Sequence, residues 1–170
     1  SGSVLRGVEL GNVDINGEIE NVTVNGVDIG PLIETLRHLA FATDAWIRRA
    51  VLGDPAPWDP LDLPWDEMRD TPGVPRDRAV RPSLETVLAL RRDRMSTVRE
   101  LVDGLTDASL SASTEPVEGP GWPPPRSFPV RECLLVVLNE EWEHRLYAER
   151  DLAALEARQR EDADGRSLPA

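Results

Sequence analysis

Lysine is absent from the 170-residue chain, cysteine and tyrosine occur once each, and histidine occurs twice. Without lysine, nineteen arginines face thirty-one acidic residues and the formal net charge is −12. Affinity for nucleic acid rests on basic side chains neutralising phosphates, so a phosphate backbone is not an expected partner, and an anionic lipid surface would be repelled. The lone Cys133 has no intramolecular disulfide partner and reads as a small buried hydrophobe. No run approaches the roughly 20 apolar residues of a membrane-spanning helix. The longest, "CLLVVL" at 133–138, reads as a core segment. The first residues show neither a charged nor an apolar leader region, so no export signal is expected, and a reducing cytoplasm is. A Gly-x-Ser-x-Gly elbow is missing, and the glycines of residues 7–30 lack the strand-to-helix context of a phosphate loop.

What the chain does have is ordinary globular material: 40 % hydrophobic and 29 % charged residues, enough for one soluble domain with a small appendage. The appendage is residues 1–30. Read in fives, it gives VELGN (8–12) and VDING (13–17), slips through EIEN (18–21), then resumes as VTVNG (22–26) and VDIGP (27–31). Leu5, Leu10 and Ile15 are five apart, as are Ile19, Val24 and Ile29. Such centres suit a coil with inward-pointing branched residues and Gly or Asn at its corners, and the pattern resembles pentapeptide-repeat proteins. The plainer alternative is a small β-hairpin or meander turning at Asn16-Gly17 and Asn25-Gly26.

From Pro31 the period becomes helical. Leu32, Leu36, Leu39, Thr43, Ile47 and Ala50 form one stripe that ends before Gly53. Residues 53–82 hold seven prolines with Trp58 and Trp65, the composition of a long structured loop. Ser83 reads as an N-cap opening a helix over about 84–103. A second loop, 105–129, contains "GPGWPPP", and a last helix is expected over about 130–158 with Val130, Cys133, Leu134, Val137, Ala148, Leu152 and Leu155 on one face. Residues 161–170 read as a flexible tail. Three long helices are visible over 31–160, and no fourth.

Chemistry concentrates in "LNEEWEH", 138–144. Glu140 and His144, four apart, project from one helix face, and His144 lies at the inward edge of the apolar stripe. The other histidine, His38, sits among Leu36, Leu39 and Phe41, on a second face with Phe41, Ala42 and Ala45, so its helix must pack on two sides to bring it to the core. Two imidazoles and a carboxylate are a three-ligand set that leaves positions open on a divalent metal. A solvated run of i,i+4 ion pairs is the plainer alternative.

"LRHLAFATDAW" (36–46), a Pro-rich loop, a plain helix and "LNEEWEHRLYAERDLAAL" (138–155) together resemble the DinB-like (DinB/YfiT) superfamily of metalloproteins, nearest to relatives of mycothiol-dependent maleylpyruvate isomerases. The resemblance implies a mainly α fold, an up-down helical bundle, here with a small N-terminal β segment. It also implies His38, Glu140 and His144 as ligands of a divalent metal, Zn²⁺ first, with Ni²⁺, Fe²⁺ and Mn²⁺ as alternatives. Family members begin with a long helix for which "GPLIETLRHL" leaves no room. Either the chain lacks that helix and buries the exposed groove as a homodimer, or a stretch is missing between the repeat and residue 31. Arg145 and Leu146 stand where the isomerase-like members often carry small residues, which sets the substrate apart.

The function expected from this resemblance is a thiol-dependent transferase or isomerase acting on a small electrophilic molecule, with a low-molecular-weight thiol such as mycothiol as co-substrate. The lysine-free, Arg- and Ala-rich composition fits an actinobacterial source. Glu141 or Glu143 would orient an imidazole from outside the ligand set, with Glu143 reading more simply as surface. Arg150 and Asp151 read as a helix-end ion pair, and Trp58, Trp65 and Trp122 either roof the site or cap the core. The rival readings are a non-catalytic acidic scaffold that docks a partner through the repeat, and a metal-binding relative without catalysis.

Overall fold

The structure is a computed structural model and describes residues 23, 24, 27, 28 and 30–165. Two short strands, β1 (Thr23–Val24) and β2 (Val27–Asp28), pair antiparallel with Thr23 opposite Asp28 and Val24 opposite Val27. They bracket Asn25-Gly26, which agrees with the hairpin alternative at that dipeptide. The rest of the repeat, and with it the coil reading, lies outside the described residues.

Helix α1 (Gly30–Thr43) has Pro31 in its first turn, where a missing N–H costs nothing. It continues into a π-helical segment, Asp44–Val51, which closes with the Leu52 N–H on the Ile47 carbonyl at 2.9 Å. The 3/4 spacing of its apolar residues gave no sign of the wider turn. Helix α2 (Leu84–Asp103) opens as expected at Ser83, whose hydroxyl accepts the Thr86 N–H at 3.1 Å. A single turn, α3 (Asp107–Leu110), is capped reciprocally by Thr106 and Ser109 inside the expected loop, too short for periodicity to reveal. Helix α4 (Val130–Gly165) runs past the expected end, and residues 166–170 lie outside the described residues. Among the described residues there are three long helices and no fourth.

The chain is mainly α, and α1 is its central element, packed on α2 and on α4, while the π segment also packs on α4. Every residue from 39 to 45 is buried, so the helix does bury two faces. On one side Phe41 and Ala45 join Met68 and Val74 from the first loop, with Trp46, Trp58 and Trp122 against them. On the other, Ile47 and Ala50 meet Val130, Cys133, Leu134, Val137 and Phe128. Both Pro-rich loops are drawn in by their tryptophans: Trp58 stacks on Phe41 (5.5 Å, 14°), and Trp65 sets its edge against Trp122 at 5.1 Å.

The expected stripe on α4 holds only through its first half. Ala148 and Leu152 are exposed, and Leu135, Leu138, Trp142 and Leu146 form a second, outward apolar face at 40–60 % exposure. Helical periodicity marks which residues share a face but not whether a neighbour lies against it.

Candidate metal centre

Central α1 and the first half of α4 bring three potential donors together. His38 Nε2 lies 3.3 Å and His144 Nε2 3.6 Å from the same Glu140 oxygen, Oε2, and the two rings are 5.3 Å apart between centroids. One ligand atom from each of the three residues falls within 4.8 Å of the others. Four-coordinate Zn²⁺ with bonds of about 2.1 Å requires donor atoms roughly 3.4 Å apart. The two distances to Glu140 are close to that requirement.

The donors are also electronically prepared. The hydrogen bond from His38, and the charges of both histidines, hold the Glu140 carboxyl below its usual range against the opposing effect of burial. Burial, and then the proximity of His38, lower His144, while Glu140 and Glu141 pull the other way. The depressed Glu140 carboxyl and His144 imidazole each keep a lone pair free for a cation near neutral pH. His38 Nδ1 donates to the Leu63 carbonyl at 3.1 Å, and Nε2, whose proton the Glu140 carboxylate accepts, is the nitrogen a cation would take in that proton's place.

That carbonyl belongs to a stretch of loop stitched to α1 by three consecutive residues. Arg37, fully buried, donates from Nε to the Leu61 carbonyl at 2.7 Å and from its two terminal nitrogens to the carbonyls of Asp77 and Val80. His38 holds Leu63. Between them Asp62, also fully buried, meets Asp44 of the π segment. Asp44 in turn is gripped by Arg94 of α2, Nε to Oδ1 at 2.6 Å and Nη2 to Oδ2 at 2.9 Å, and more loosely by Arg48 at 3.4 Å. Burial raises the Asp44 carboxyl above its usual range, and the hydrogen bond and charge of Arg94 oppose that rise.

Above the three donors lies an open cavity of about 350 Å³ lined by Glu34, Thr35, Leu63, Pro64, Trp65, Asp66, Glu67 and Arg78, with both histidines in its wall. Arg78 is spent on the Pro64 carbonyl and on Asp66. Of the three loop tryptophans only Trp65 lines this cavity; Trp58 and Trp122 pack in the core, so the roof and cap roles are divided among them.

The remaining sequence candidates fall elsewhere. Glu141 pairs with Arg91 of α2 rather than with an imidazole, and Glu143 is exposed. Arg150 and Asp151 pair with each other at 2.8 Å on an exposed stretch of α4. Sequence reasoning missed Arg37, Asp44, Asp62, Arg91 and Arg94, all buried titratable side chains. One signal was present: Val87, Arg91, Arg94, Val98 and Leu101 are a strict 4-3-4-3 stripe, so two arginines occupy core positions.

No curated protein and no solved structure gives a match to the chain. The family model of the DinB superfamily matches residues 28–148, a span that contains α1, both Pro-rich loops, α2 and the part of α4 bearing Glu140 and His144. With most of its length covered by that model, the chain belongs to the DinB superfamily.

Proposed function

We propose that His38, Glu140 and His144 bind a divalent metal and that the chain is a thiol-dependent transferase or isomerase for a small electrophilic molecule. The observation that supports this reading is the spacing of the three donors, two of them in the wall of an open cavity large enough for a small substrate. Superfamily members generally bind metal, which agrees with the donor set. Two imidazoles and a carboxylate suit Zn²⁺ first, with Ni²⁺, Fe²⁺ or Mn²⁺ able to take the same donors.

A divalent ion held there supplies Lewis acidity, which lowers the pKa of a thiol and polarises a neighbouring carbonyl. The residues of the chain do the rest. Glu140 stays anionic and reduces the net charge at the donor cluster, while His38 is held in one tautomer by Leu63. Leu63, Pro64 and Trp65 give one side of the open cavity an apolar wall for a substrate to lie against. A low-molecular-weight thiol of the mycothiol type is the proposed co-substrate. The proposed assembly is a homodimer in which a second copy covers the outward face of α4, where Leu135, Leu138, Trp142 and Leu146 are exposed.

The test is metal content by elemental analysis of the purified chain, then turnover of a model electrophile with and without added thiol. Stoichiometric metal that disappears in His38→Ala and His144→Ala, together with thiol-dependent turnover, supports the reading. A metal-free parent that takes up none of the four ions leaves an acidic helical scaffold instead.

A further inference from the structure

Asp62 is a carboxylic acid in an unusual position. Its side chain is fully buried, Oδ2 accepts the Asp59 backbone N–H at 3.0 Å, and Oδ1 has no N–H or hydroxyl donor beside it. What it faces is another fully buried carboxyl, Asp44. Arg94 engages both oxygens of Asp44, so the negative charge of the pair belongs there. Two carboxylates in contact away from water cannot both ionise, and the one without a cationic partner keeps its proton.

We propose that Asp62 is a positioning residue for His38: by donating a hydrogen bond to Asp44 it pins the loop to α1 and thereby holds the Leu63 carbonyl against the imidazole. The register supports this. Leu61, Asp62 and Leu63 engage Arg37, Asp44 and His38 in turn, so the middle tether sets the orientation of the carbonyls on either side. The charged groups around Asp62 are Asp44 and Arg48 from the π segment, Arg94 from α2 and Asp59 from its own loop. Burial first, and then the charge of Asp44, push the Asp62 carboxyl up to about 9. Below that pH the tether is intact; above it Asp62 ionises, repels Asp44 and releases the loop. The influence on a bound metal rests on the function proposed above, whereas the hydrogen-bond chain itself does not.

The experiment compares the parent with Asp62→Asn, whose amide N–H replaces the carboxyl proton, and Asp62→Ala, which has no donor. The first readout needs no metal: the ring Nδ1–H resonance of His38 in the full chain, assigned with the aid of His144→Ala, which leaves His38 as the sole imidazole. At about pH 7.5 the hydrogen-bonded resonance is expected in the parent and in Asp62→Asn but not in Asp62→Ala. At about pH 10 the parent loses it and Asp62→Asn keeps it. The second readout is Ni²⁺ affinity by chelator competition, expected to fall about tenfold or more in Asp62→Ala, as for other groups that orient a metal-binding histidine, and to be unchanged in Asp62→Asn.

Retention of the resonance in Asp62→Ala, or its loss with rising pH in Asp62→Asn just as in the parent, overturns the assignment. If the resonance behaves as expected while no variant binds Ni²⁺, Asp62 keeps its role and the metal reading fails. Should Asp62→Ala not fold, the pH series of the parent against Asp62→Asn decides alone.

Discussion

Glu140 Oε2 stands 3.3 Å from His38 Nε2, a contact made across 102 residues of sequence between the central helix and the last one. Each side chain arrives from a different helix already restrained, His38 by Leu63 and Glu140 by the turn it shares with His144. Preorganisation of this kind keeps the ordering cost of ligand binding low.

Removing one donor at a time should therefore be severe. His38→Ala and His144→Ala are expected to purify without stoichiometric metal. Glu140→Gln keeps the shape of the site but loses the anionic donor, and is expected to bind more weakly by about 10-fold or more, a penalty in the range seen when a metal site is perturbed. Elemental analysis and competition titration check both expectations.

The pH dependence has a definite sign. His144 titrates below its ordinary 6.5, chiefly because of burial and then because of His38. Its unfolded form takes up a proton at a pH where the folded form does not, so its contribution to stability is present above 6.5 and is lost as the pH falls through the lowered folded value. Glu140, also depressed, loses its contribution at lower pH still, below 4.5. Thermal melts between pH 4 and 8 should show stability dropping on the acid side, and metal uptake should persist somewhat below 6.5 before protons displace it.

Arg94→Ala should be among the most damaging substitutions outside the donor set. It leaves Asp44, which is fully buried, without the guanidinium that hydrogen-bonds one of its oxygens and lies against the other. Truncating one side of a buried pair costs about 3–5 kcal/mol. Denaturant melts measure it, and Arg94→Lys, which keeps the charge but not the fork, should recover part of the loss.

Gly121 carries φ of 143°, and a Cβ there would meet the Arg49 guanidinium at 2.5–2.9 Å. Arg49 clasps the second loop through the carbonyls of Glu118 and Gly119 and lies over the Trp58 ring at 5.9 Å. Gly121→Ala is therefore expected to cost about 1–3 kcal/mol in backbone strain, with the guanidinium displaced as well. A lowered melting temperature with metal content retained is the expected outcome.

The donors that helical periodicity governs could be read directly: Glu140 and His144 lie on one inward face because four residues make just over one turn. His38 was legible only as a condition, that α1 bury two faces, and the seven consecutive buried residues from 39 to 45 meet it. Arg91 and Arg94 interrupted a core stripe in plain view. Asp62 gave no such sign, because an irregular loop has no period and its partner Asp44 is brought to it by tertiary packing. The second half of α4 misled for the opposite reason: its pattern was periodic, yet nothing among the described residues lies against Ala148 or Leu152.

Trp65 lines the cavity beside both histidines and touches Trp122 at 5.1 Å, which in turn reaches Trp46 at 6.4 Å. The indoles thus form a short relay from the cavity to the interior. Excitation absorbed anywhere along it can migrate to the ring nearest the imidazoles, where a paramagnetic ion or a bound thiol would quench emission. Occupancy by a paramagnetic ion such as Ni²⁺ is therefore expected to dim the intrinsic fluorescence, with no label attached.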